Sequence, residues 1–168
     1  MKESAIWRPL VLMARGAGSG AAFFLAAMMM ITIIDVTSRA LFNRPITGAY
    51  DLVQLFLVGS VFFSIPSVFL RGENIVVDFI DHLLGWRAVE ILKVIANLLA
   101  FVFLATLLYQ MVAPARDAMR FHEVSSDLAI PMGVHWSLML LGIGLALLPA
   151  ALTLTNSVVT LVRRLDDR

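Results

Sequence analysis

The sequence contains no cysteine. That excludes disulfides, thiolate nucleophiles and Cys-ligated metals, and it leaves the redox compartment open. Charge is scarce as well. Charged residues make up 15% of the chain, against about 25% in a soluble domain. The net charge is only +1, and no dense Lys/Arg cluster is present, so a nucleic acid is not an expected partner. Apolar residues are abundant: 60% of 168 residues are hydrophobic, and the mean hydropathy is +0.89. Soluble domains carry about 45–50%. Lipid must therefore solvate part of the chain. The length suits one membrane domain covering residues 1–168.

Four stretches lack Asp, Glu, Lys and Arg: residues 16–34, 52–70, 94–115 and 128–162. A membrane-spanning helix takes roughly 20 mostly apolar residues, so each stretch is long enough. The fourth exceeds what one helix needs. Pro131 is expected to set its start, because proline is tolerated in a helix's first turn. Pro149 is a candidate kink. The predicted spans are about 16–38, 50–70, 92–115 and 132–158. Lys2, Arg8 and Arg15 followed by an apolar run also suggest a signal peptide. That run exceeds the usual 7–15 residues, and Asp35-Val36-Thr37-Ser38-Arg39 is no small-residue cleavage site. The first stretch therefore reads as an uncleaved span. The fold class is an all-α membrane protein with four transmembrane helices.

Four spans put both termini on one side. Of the 13 basic residues, nine lie in the N-terminal segment, the loop after span two and the C-terminal tail. The other loops hold the remaining four, Arg39, Arg44, Arg116 and Arg120. The positive-inside rule then predicts cytoplasmic N- and C-termini.

The loop between spans two and three has helical periodicity. At about 100° per residue, Asn74, Asp78, Asp81, His82 and Gly85 share one face, and apolar residues fill the rest. This predicts an amphipathic helix over about 74–90. It suits the cytoplasmic membrane interface, with Trp86 at headgroup level. A helix packed on a soluble partner domain is the other reading.

Lipid tails are as apolar as leucine, so helices in a bilayer meet through close packing and polar contacts. Gly142, Ala146 and Ala150 form a smooth stripe on the fourth span, and Gly16 and Gly20 share that spacing on the first. Ser60, Ser64 and Ser67 lie on one face of the second, where Pro66 interrupts the hydrogen-bond ladder. Their hydroxyls are expected to satisfy the carbonyls that Pro66 frees. Asn97, inside the third span, calls for a structural hydrogen bond.

Chemistry would require ionisable groups at mid-membrane, which are costly and persist where they work. The sequence places none there. Haem between two helices would need axial histidines facing each other. His82 falls on the amphipathic segment, His122 in an outer loop and His135 near the outer end of span four. No His/Asp/Glu set has metal-ligand spacing. Asp78, Asp81 and His82 read as a wet helix face, and Met28, Met29 and Met30 as lipid-facing or core packing. No cofactor is expected in this chain. No catalytic triad, His-Glu-x-x-His motif or phosphate loop occurs, so it does not read as an enzyme.

The remaining signal lies in charges at the span ends. Asp35 and Arg39, four apart, can pair along a helix. Asp51 opens the second span, where an anion suits the helix dipole. Arg71, Glu73 and Asp78 bracket the turn into the amphipathic segment. These groups either fix helix ends or dock a partner subunit.

The same residues carry a resemblance. Asp35-x-x-x-Arg39-x-x-Phe42-Asn43-x-Pro45-x-x-Gly48-x-x-Asp51-Leu52 resembles the first outer loop of the small membrane subunit (DctQ-type) of TRAP, or tripartite ATP-independent periplasmic, transporters. Arg71-Gly72-Glu73-Asn74-Ile75-Val76-Val77-Asp78 resembles the start of that family's amphipathic segment, and Ser125-x-x-Leu128-x-Ile130-Pro131 the stretch before its last span. Two positions depart from the pattern. Asp51 stands where the family usually has Glu, and Asn74 where it often has His, so no titrating role carries over to Asn74. The resemblance implies a bacterial inner-membrane subunit that braces a large membrane subunit. That partner would move the substrate, typically a carboxylate, on the sodium gradient. Sodium is thus expected in the partner, and a soluble periplasmic protein would deliver the substrate. Two other readings stay open: a haem- or quinone-binding anchor of a redox enzyme, and a stand-alone small channel or carrier.

Overall fold

In a computed structural model, residues 7–71 and 86–166 are described, and they form four long α-helices. They are α1 (Trp7–Phe42), α2 (Ala49–Arg71), α3 (Trp86–Arg120) and α4 (Met132–Asp166). All four are long and apolar enough to cross a membrane. At ~1.5 Å per residue, α1, α3 and α4 each exceed 50 Å, well beyond the ~30 Å hydrocarbon core. Helix thus continues past the predicted spans at both ends of α1 and α3, and past the C-terminal end of the span in α4, which starts at Met132 as expected. Most of the amphipathic helix expected over 74–90 lies outside the described residues. Residues 86–90 belong to the start of α3.

The helices stand in a row rather than a closed bundle. α1 packs on α2, α2 on α4, and α4 on α3; α1 only grazes α4, and α3 touches neither α1 nor α2 among the described residues. The apolar core lies at the middle of the row, where Leu104, Ile143, Ala146 and Ala150 are buried among Phe62, Ile65, Phe101 and Leu147. The row ends stay open, leaving Phe23 on α1 and Leu99 and Phe103 on α3 exposed.

Small residues decide how closely the helices meet. A Cβ at Gly142 would lie 2.6 Å from both the carbonyl oxygen and the Cβ of Phe62. Only a glycine lets α4 lie against that backbone. Phe62 is also the residue whose carbonyl loses its helical donor to Pro66. α4 therefore covers the broken rung of α2 with a bare backbone, a geometry that suits Cα–H···O contacts. The expected repair by serine hydroxyls does not occur. Ser60 Oγ donates to Leu57 O at 2.9 Å, and Ser64 Oγ to Val61 O at 2.7 Å. Ser67 Oγ donates across the helix pair to Ala14 O at 2.6 Å. Bonds to a helix's own preceding turn are a short hydroxyl's easiest choice. Between α1 and α2, Gly16 has nothing near its Cβ position, and at Gly20 the nearest atom, Phe63 Cδ1, is 3.6 Å away. The tight approach is at Gly18, whose Cβ would lie 2.6 Å from Ser67 Oγ. Higher up, the Phe24 ring sits over buried Gly59 and contacts Phe56 and Phe63, with centroids 6.0 Å and 5.7 Å away.

Candidate functional site

The α1–α2 and α3–α4 loops share one end of the row, opposite the termini. Two buried carboxylates organise that end. Asp35, two turns before the end of α1, splits its oxygens. Oδ1 accepts Ile46 N–H at 2.9 Å, and Oδ2 accepts Arg39 Nη2 at 2.7 Å. The loop between them is closed by its own backbone. Asn43 takes the left-handed conformation that commonly ends a helix (φ 52°). Ser38 Oγ donates to Arg44 O at 2.9 Å, and Ala49 N to Ile46 O at 3.2 Å.

Asp51, in the first turn of α2, is 1% exposed. Its Oδ2 accepts Ser125 Oγ at 2.6 Å, Leu128 N at 2.8 Å and Asp127 N at 3.0 Å. All three donors come from the α3–α4 loop. Ser125 Oγ in turn accepts Ile130 N at 3.1 Å. Ser125 N donates to Ile130 O at 2.9 Å and Met132 N to Glu123 O at 2.8 Å, with a bridge pairing Val124 and Pro131. One carboxylate thus ties the start of α2 to a folded loop whose sequence lies far away. Gly48 completes the joint. Its φ is +81°, and any Cβ there would overlap the Leu128 side chain. Below lies His135, 4% exposed, with neither ring nitrogen hydrogen-bonded and within electrostatic reach of Asp51.

The opposite end is held differently. Glu90, 6% exposed, accepts Arg164 Nη1 at 3.1 Å, with Lys93 Nζ at 3.9 Å. This pairs the start of α3 with the end of α4. Two turns further in, Asn97 Nδ2 donates to Ser157 Oγ at 2.8 Å. Among the described residues, no group of three or more His, Cys, Asp or Glu is placed to hold a metal ion.

The sequence model for "Tripartite ATP-independent periplasmic transporters, DctQ component" matches residues 28–163. The chain belongs to the DctQ family. No curated protein and no solved structure matches it. This TRAP small subunit is thus a multi-pass membrane component of a transporter.

The matched stretch contains the Asp35, Asp51–Ser125 and Asn97–Ser157 joints whole, and Glu90 with Lys93, while Arg164 lies one residue past its end. Several residues singled out in the DctQ protein's sequence meet in space. Asp51 and Ser125 form one cluster, and Asp35, Arg39 and Asn43 form another beside it. Pro131 sits just before α4, paired with Val124. Gly142, Ala146 and Ala150 are buried in α4. Arg71 ends α2, while Glu73 and Asp78 lie outside the described residues. Sequence reasoning missed Glu90, which looked like one more charge beside a span, and the donor role of the Asp127 and Leu128 backbone. Only Gly48, between two helical stretches, hinted at a joint needing a bare backbone.

Proposed function

We propose that this subunit is a non-catalytic scaffold of a sodium-coupled, binding-protein-dependent importer of carboxylates, bracing the large transport subunit in the membrane. One observation supports this most: the buried carboxylates are spent on joining helices at the two ends. Asp51 is held by three donors of the α3–α4 loop, Asp35 by Ile46 N–H and Arg39, and Glu90 by Arg164 and Lys93. The row of four helices also encloses no central pathway among the described residues, and leaves broad apolar faces for lipid or a partner. The sodium site and substrate path belong to the partner. The termini face the cytoplasm on the basis of their charge. The loop end, with residues 39–51 and 116–131, then faces the periplasm, where the delivery protein docks.

The test is extraction from the native membrane. A large multi-span partner is expected to co-purify, and the chain alone in liposomes should show no sodium-dependent uptake. Uptake by the chain alone, or a Soret band in its absorption spectrum, would sink the scaffold reading.

A further inference from the structure

The α1–α2 pair carries a feature that the scaffold role does not use. Towards the end that holds the termini, a groove of about 870 Å³ runs between the two helices. Arg15, Gly18, Ser19 and Ala22 line it from α1, and Ser64 and Ser67 from α2. The groove exists because these side chains are small, and because the Ser67–Ala14 bond holds the helices together beside it. Arg15 is exposed and has no ion-pair partner among the described residues.

Depth gives the groove its meaning. Asp35 and Arg15 are 20 positions apart on one continuous helix, which is about 30 Å at ~1.5 Å per residue, the thickness of the hydrocarbon core. With Asp35 at the loop-side boundary, Arg15 sits at the other boundary, from which its long side chain extends outward to the lipid phosphates. Ser19, Ser67 and Ser64 follow within the next two turns, just inside that boundary, where the acyl chains begin. Ala21 and Ala22 continue into the acyl region.

We propose that this groove binds one anionic glycerophospholipid of the leaflet at the terminal end. Arg15 receives the phosphodiester, as a guanidinium does in charge-assisted hydrogen bonds. The exposed Ser19 hydroxyl, one turn deeper, faces the ester end of an acyl chain, whose first part lies along Gly18 and Ala22. Arg15, the one cation lining the groove among the described residues, complements a net negative lipid. A zwitterionic lipid brings its own ammonium to compete for the phosphate.

The test is native mass spectrometry of the full chain, purified in detergent and exchanged into micelles with equal amounts of dioleoylphosphatidylglycerol and dioleoylphosphatidylethanolamine. The wild type is expected to keep one phosphatidylglycerol in preference to phosphatidylethanolamine. Arg15→Gln should lower that retention about fivefold, the scale of one basic side chain at an anionic surface. Ser19→Phe keeps the charge, fills the groove and should also lose the lipid, so the test survives if Arg15→Gln fails to fold. Arg116→Gln, at the opposite end, should change nothing. Equal retention of both lipids, no retained lipid in the wild type, or undiminished phosphatidylglycerol in Ser19→Phe would each overturn the proposal.

Discussion

The two ends of this helix row solve the same problem with different chemistry. Each buries a carboxylate where helices must be joined. At the loop end, Asp51 is held by a hydroxyl and two backbone N–H groups. At the terminal end, Glu90 is held by two long cationic side chains that are about half exposed. Backbone donors cannot swing away, so the loop end is locked in one geometry. Arginine and lysine can find water or another anion, so the terminal end tolerates rearrangement. A helix row with one rigid and one adaptable end follows from that contrast alone.

The contrast breaks most sharply at Asp51. Asp51→Ala strands the Ser125 hydroxyl and the N–H groups of Asp127 and Leu128 in a buried site, and unmet buried donors are costly. It should give the largest loss of thermal stability in this set, with proteolysis starting in residues 121–131. Asp51→Asn keeps an acceptor oxygen and should fall between it and the wild type. A melting temperature unchanged in Asp51→Ala would remove the idea of a locked end. Gly48→Val comes next. It forces a β-branched residue to positive φ against Leu128, and such strain costs roughly 1–3 kcal/mol. Limited proteolysis and thermal unfolding in detergent would show it.

Arg164→Ala sharpens the other side. Glu90 keeps Lys93 as a neighbour, and the lost partner is 55% exposed. The expected cost is about 1 kcal/mol or less, as for partly exposed ion pairs. High salt should erase much of it, whereas the Asp51→Ala defect should persist in salt. A salt-insensitive Arg164→Ala defect would mean that both ends are locked alike.

The sequence made the helices legible and the joints not. Asp35, Asp51, Arg71 and Lys93 mark the spans because charge is expelled from hydrocarbon, a property each residue carries alone. The joints depend on pairs. Asp51 meets Ser125 across 74 positions, and nothing in either residue's neighbours encodes that distance. The backbone N–H groups of Asp127 and Leu128 carry no side-chain signature at all. Small residues were legible only in part: of the Gly16 and Gly20 pair, Gly20 comes within contact of Phe63 and Gly16 meets open space, while the tightest approach is at Gly18 between them. Ser60 and Ser64 were expected to repair the Pro66 gap, but their own preceding turn offers closer acceptors.

Arg39 makes the finest cut. It pairs with Asp35 but is 60% exposed, and the other Asp35 oxygen already holds Ile46 N. The loop therefore keeps its closing bond without the guanidinium. Arg39→Gln should unfold within error of the wild type, the smallest stability effect of the four sites. If the loop end docks the delivery protein, the same variant should still slow uptake by the assembled transporter, because an exposed cation steers encounter more than it holds a fold. A stability loss larger than that of Arg164→Ala would show that the loop end, too, leans on a mobile side chain, and the distinction between the ends would fall.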